Sequence, residues 1–110
     1  MPYPYNEKLY AIIRDQEFKN IEGLIALIVK EHNNQLKKWG VQDVSPFEWL
    51  AYLTEETGEL SKAIIEESSP SGHAIDVITE AIQVATLALK IAEMYYHYRI
   101  DVEESLEDII

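Results

Sequence analysis

The sequence predicts an all-α fold: a helical bundle of three main helices with short terminal helices, completed by dimerisation. Three observations predict it. Apolar residues recur at helical spacing along most of the 110-residue chain. Glycine and proline number only four each, and the long stretches with few of them favour helices. Nearly half of the residues are hydrophobic, so the chain has the material for a core, though one of modest size. The length fits one domain, 1–110, with the informative core at about 20–98.

The elements follow in order. Lys8 to Gln16 has the length of a short helix. The first main helix is expected over 20–38, where Ile21, Leu24, Ile25, Ile28 and Leu36 recur on one face and Gly40 supplies a stop. Ser45-Pro46-Phe47-Glu48 reads as an N-cap, a proline at the first helical position and a capping-box glutamate, opening a second helix over Pro46 to about Glu67. Ser68 to Gly72 has loop composition. A long third helix is expected from His73 or Ala74 to Tyr98, and an acidic amphipathic segment from Val102 to Ile110. Three helices enclose a core poorly, which argues for a second copy completing the bundle. Tyr95, Tyr96 and Tyr98 suit that subunit interface.

Composition narrows the function. A net charge of −11 disfavours polymeric nucleic acid, which attracts basic patches. It leaves room for a small phosphorylated ligand bridged to carboxylates by a divalent cation. The chain has no cysteine, so it carries no disulfide and no zinc–thiolate site, and a cytoplasmic location fits. The first residues lack the basic start and apolar run of a signal peptide, and no apolar stretch has the length of a membrane span.

On a helical wheel the second helix carries an apolar stripe of Trp49, Tyr52, Leu53, Leu60 and Ala63. Glu56 falls inside that stripe and Glu59 at its edge, while Glu55 points outward. An ionised glutamate among core positions is costly unless it is paired, binds a metal or reaches out to solvent. The third helix is apolar around most of its circumference, with one polar stripe of Asp76, Thr79, Glu80, Gln83, Thr86 and Lys90. That stripe is either a solvent face or half of a site. Glu56 with Glu59, and Asp76 with Glu80, are acidic pairs one turn apart. Facing each other, they would repel unless cations neutralised them, and hard oxygen donors suit Mg²⁺, or Mn²⁺. A di-iron bundle is set aside, because none of His32, His73 and His97 stands three residues after a glutamate. On the first helix, His32, Gln35 and Trp39 share the apolar face. They read as core residues or as a place where Trp39 stacks on a base and His32 or Gln35 bonds its edge. Lys90 reads as a solvated lysine or as a phosphate contact.

The segment Trp49 to Ile64 contains Glu55-Glu56-Thr57-Gly58-Glu59, which resembles the Glu-Glu-x-x-Glu motif of MazG-like nucleoside triphosphate pyrophosphohydrolases. Glu80 to Ala92 resembles the second motif of that family, Glu-x-x-Asp followed by an apolar run, at a separation within the family's range. The likeness spans residues 20 to 95. It implies an all-α NTP pyrophosphatase fold, dimeric or tetrameric, that hydrolyses a (deoxy)nucleoside triphosphate to monophosphate and pyrophosphate with Mg²⁺. By position it implies Glu56, Glu59 and Glu80 as metal ligands and Glu55, with Glu56, as the pair that orients or activates water. Gln83 departs from the pattern, standing where the family has an aspartate ligand; its neutral carbonyl would weaken the site, and Asp76 would compensate. The stretch Lys38 to Gln42 resembles a phage and bacterial subgroup in which a glutamine at that position is a subfamily trait. Two other readings stand beside the enzyme: a MazG-like nucleotide-binding or regulatory protein that lost the chemistry at Gln83, and a helical interaction protein with an acidic surface.

Overall fold

The computed structural model describes residues 17–67 and 73–99, with side chains to residue 97. It is all-helical there, with α1 over Ile21–Trp39, α2 over Pro46–Glu67 and α3 over Ala74–Arg99. The expected terminal helices, Lys8 to Gln16 and Val102 to Ile110, lie outside the described residues, as does the expected Ser68–Gly72 loop.

The local signals act where the sequence puts them. Gly40 ends α1 at φ 69° and ψ −163°, a conformation closed to residues with a Cβ, and its N–H bonds to the Leu36 carbonyl at 2.8 Å. The helix begins one residue later than the periodicity suggests, after Asn20, whose side chain makes no capping bond. α2 starts with Ser45 Oγ accepting the Glu48 N–H at 3.2 Å, so one of the helix's orphan donors is satisfied by the predicted cap. α3 runs to Arg99, one residue past the expected end.

α3 is the middle element: its backbone packs against both α1 and α2, which do not pack closely against each other. Its faces decide the architecture. Of its polar stripe, Thr86 is the most buried residue described, at 1% exposure, and Glu80, Gln83 and Lys90 are half-buried; only Asp76 and Thr79 are exposed. The stripe is therefore turned inward along most of its length and is not a solvent face. Thr86 tolerates the burial because its Oγ1 donates to the Ile82 carbonyl at 2.7 Å. Apolar residues of the same helix, Ile75, Ile78, Leu89 and Tyr95, stand exposed.

Among the described residues the buried ones are Trp49 and Ala63 on α2 and Thr86 and Leu87 on α3. The Trp49 ring meets Tyr52 edge-on at 5.7 Å, a favoured arrangement of two aromatic quadrupoles. No described helix is long and apolar enough to cross a membrane.

Candidate acidic cleft

The inward stripe of α3, the Glu56 face of α2 and the last two turns of α1 enclose a cleft of about 480 Å³. Glu55, Glu56 and Glu59 line it from α2, and Glu80 and Gln83 from α3. From α1 come Gln35 and Trp39, together with Asn34, Lys38 and, also not among the candidate residues of the sequence, Glu31. Its signal was available in the sequence: Glu31 is one turn before Gln35, on the helix edge that also carries Trp39.

Glu56 is half-buried, as its place on the apolar stripe requires. Its carboxyl pKa is raised, first by burial, then by the charges of Glu80, Glu55, Glu59 and Glu31. Carboxylates from all three helices thus act on one group. The i,i+3 spacing places Glu59 beside Glu56 on the same helix edge, and the packing of α3 on α2 brings in Glu80.

A chain of hydrogen bonds crosses from α1 to α3 at the inner end of the cleft. Gln35 Nε2 donates to Glu31 Oε2 at 2.7 Å and to Gln83 Oε1 at 3.3 Å. Lys90 Nζ donates to Gln35 Oε1. Lys90 is half-buried, and that burial lowers its pKa while Glu31 acts to raise it. It is not the solvated lysine that its stripe alone would allow.

Two further cavities continue from the cleft. A connecting pocket of about 330 Å³ shares Gln35, Trp39, Glu55, Glu56 and Gln83 with it and adds Trp49 and Tyr52. Beyond Trp49 and Gln42 lies an apolar cavity of about 450 Å³ walled by Ile28, Leu36, Leu89 and Met94. His32 and Lys90 line this apolar cavity and not the acidic cleft, and His32 Nδ1 is buried there without a hydrogen-bond partner. Trp39 is 55% exposed at the mouth of the acidic cleft, with Lys38 Nζ 4.6 Å above its ring.

The sequence-derived candidates thus fall into three groups. Glu55, Glu56, Glu59, Glu80, Gln83, Gln35 and Trp39 are brought together in one cleft. His32 and Lys90 sit in the adjoining cavity, Lys90 being tied back to the cleft through Gln35. Asp76 is exposed and does not line the cleft: one turn before Glu80, it lies where α3 has not yet turned its stripe inward.

The donor chemistry of the cleft, carboxylate oxygens with one amide carbonyl nearby, fits a hard divalent cation such as Mg²⁺. The carboxyl pKa of Glu56 is raised first by burial and then by these neighbouring charges, and a bound cation would act against both. Among the described residues, no three carboxylate or histidine side chains close on a single point as they stand. Comparison with protein-family models, curated proteins and solved structures found no match to the chain.

Proposed function

We propose that the chain is a MazG-like nucleotide pyrophosphohydrolase, which hydrolyses a (deoxy)nucleoside triphosphate to its monophosphate and pyrophosphate with Mg²⁺. The observation that carries this reading is Glu56: a half-buried carboxylate whose ionisation is opposed by four other glutamates around one cleft. Such an arrangement costs stability unless a cation and an anionic ligand use it.

Glu56, Glu59 and Glu80 would hold the ion. When bound, it would supply positive charge to the triphosphate and lower the pKa of a nearby water. Glu55, exposed at the rim of both the acidic cleft and the connecting pocket, orients the attacking water and accepts its proton. The new phosphorus–oxygen bond forms to that water, the bond between the α- and β-phosphates breaks, and pyrophosphate leaves. Trp39, open at the cleft mouth, offers a face to the base, and Gln35 a polar edge. The active form is a homo-oligomer, a dimer or a tetramer, acting in the cytoplasm. The exposed apolar residues Ile75, Ile78, Leu89 and Tyr95 on α3 support a second copy covering them.

A second reading is a protein that binds nucleotide without turning it over. It is favoured by Gln83, whose carbonyl oxygen is already engaged by Gln35. Pyrophosphate release from a panel of NTPs and dNTPs, with Mg²⁺, with Mn²⁺ and with EDTA, tests both. Metal-dependent release that disappears in Glu56→Gln is the expected result. Nucleotide binding without release moves the conclusion to the second reading, and neither binding nor release, in folded protein, overturns both.

A further inference from the structure

We propose that Gln83 serves the acidic cleft as an amide hydrogen-bond donor to a phosphate oxygen and not as a metal ligand, and that Gln35 and Lys90 are positioning residues that fix it so. Each group in this chain of bonds is limited in what it offers. Lys90 has only N–H donors, and an ionised Glu31 carboxylate has only acceptors. Gln35 lies between them, so its oxygen must face Lys90 and its amino group Glu31, as found. Its orientation is therefore set by its partners and not by the interchangeable look of an amide's two ends.

The same Gln35 amino group carries a second N–H, and this one points at Gln83 Oε1, 3.3 Å away. The carbonyl that would have to face a cation is turned toward α1, where it accepts this hydrogen bond. Oxygen and nitrogen diverge from the trigonal amide carbon, so with Oε1 on Gln35 the Nε2 of Gln83 is directed to a different side. A primary amide nitrogen is a donor and cannot ligate a hard cation. With the cleft's carboxylates engaged by the cation of the proposed complex, the Gln83 amide N–H has as its partner a phosphate oxygen of the ligand. An aspartate at the same position would accept from Gln35 and offer its second oxygen to a cation. The glutamine thus exchanges a metal contact for a ligand contact. This rests on the proposed reading of the cleft for the identity of the acceptor, and on the hydrogen bonds alone for the orientation.

Three measurements on the full chain test it. In the first, Mn²⁺ alone is titrated and the free ion followed by electron paramagnetic resonance. Gln83→Met leaves the Mn²⁺ affinity unchanged within about twofold, because no ligand is removed, whereas Gln83→Asp tightens it about tenfold by adding a charged ligand. A fivefold or greater loss in Gln83→Met overturns the proposal. In the second, inorganic pyrophosphate is titrated at saturating Mg²⁺. Gln83→Met weakens binding about tenfold, as expected for one hydrogen bond to a charged acceptor. Gln35→Leu and Lys90→Met weaken it too, but add nothing in the Gln83→Met background. Additive losses would show that they act independently of Gln83 and overturn the positioning claim. The third separates this inference from the function it rests on. If the folded protein binds neither Mn²⁺ nor pyrophosphate, the proposed function and the phosphate-donor role both fall. The orientation is then decided by the side-chain amide signals in a ¹⁵N–¹H spectrum. Lys90→Met shifts those of Gln35 and Gln83 together if the chain of bonds exists, and leaves Gln83 unmoved if it does not.

Discussion

The acidic cleft and the apolar cavity are built from the same helices, yet they oppose each other in chemistry. α1 contributes Glu31 and Gln35 to one and Ile28 and Leu36 to the other; α3 contributes Glu80 and Gln83 to one and Leu89 and Met94 to the other. The boundary between them is the bond from Lys90 to Gln35, with Trp49 beside the connecting pocket. On the apolar side, side chains are stabilising because they leave water. On the acidic side, Glu56 is held against burial and against like charges, so the fold bears a cost there. Stability is built in one region and spent in the other, and a residue's effect on folding should change sign between them.

The largest effect expected from breaking this comparison is on the apolar side. Trp49 is buried and reaches both the apolar cavity and the connecting pocket, so Trp49→Ala should cost about 3–5 kcal/mol, much of what a domain of this size has. Urea denaturation at neutral pH measures it. A loss below 1 kcal/mol would mean that the region around Trp49 contributes little to the fold.

On the acidic side the sign reverses. Without metal, Glu56→Gln should raise stability, by less than Trp49→Ala lowers it. The pH dependence identifies the cause. The folded pKa of Glu56 is raised above the ordinary glutamate value, so its stabilising contribution is complete below that ordinary value and is lost as pH rises through the folded pKa. In EDTA, the advantage of Glu56→Gln over the wild type should be near zero at pH 4 and grow toward neutrality. A saturating divalent cation should then narrow it by stabilising the wild type selectively. An advantage independent of pH would place the effect in packing and not in charge.

The smallest effect sharpens the comparison by leaving both regions alone. Gly58 lies inside α2 on an exposed turn, and a Cβ added there meets nothing within 4 Å. Gly58→Ala should therefore stabilise the helix by about 0.5–1 kcal/mol through backbone entropy, visible as a rise in thermal midpoint. Destabilisation would indicate that this turn is covered in the assembled protein.

Much of the site was legible because helices have a fixed period. Glu56 could be placed among Trp49, Tyr52 and Ala63 from spacing alone, and its half-burial follows from that placement. Gly40 and Ser45 act locally, within one turn, so the ends of α1 and α2 were readable too. The direction of the α3 polar stripe was not readable. A stripe of Glu80, Gln83, Thr86 and Lys90 has the same periodicity whether it faces water or a neighbour, and wheel geometry has no term for what lies opposite. The packing of α1 and α2 on that side of α3 decided it, separated Asp76 from the cleft and drew Glu31 in.

The sequence by itself therefore determined the all-helical class, the three main helices with their stops and caps, and the pairing of acidic residues one turn apart. These are consequences of backbone geometry and nearest-neighbour hydrogen bonding, which act over a few residues. Only the tertiary structure decided which side chains meet across helices. Gln35 and Gln83 are 48 residues apart, and Gln35 and Lys90 are 55 apart. Each contact depends on the rotation of α3 about its own axis, a quantity fixed by the summed packing of three helices and written at no single position of the chain.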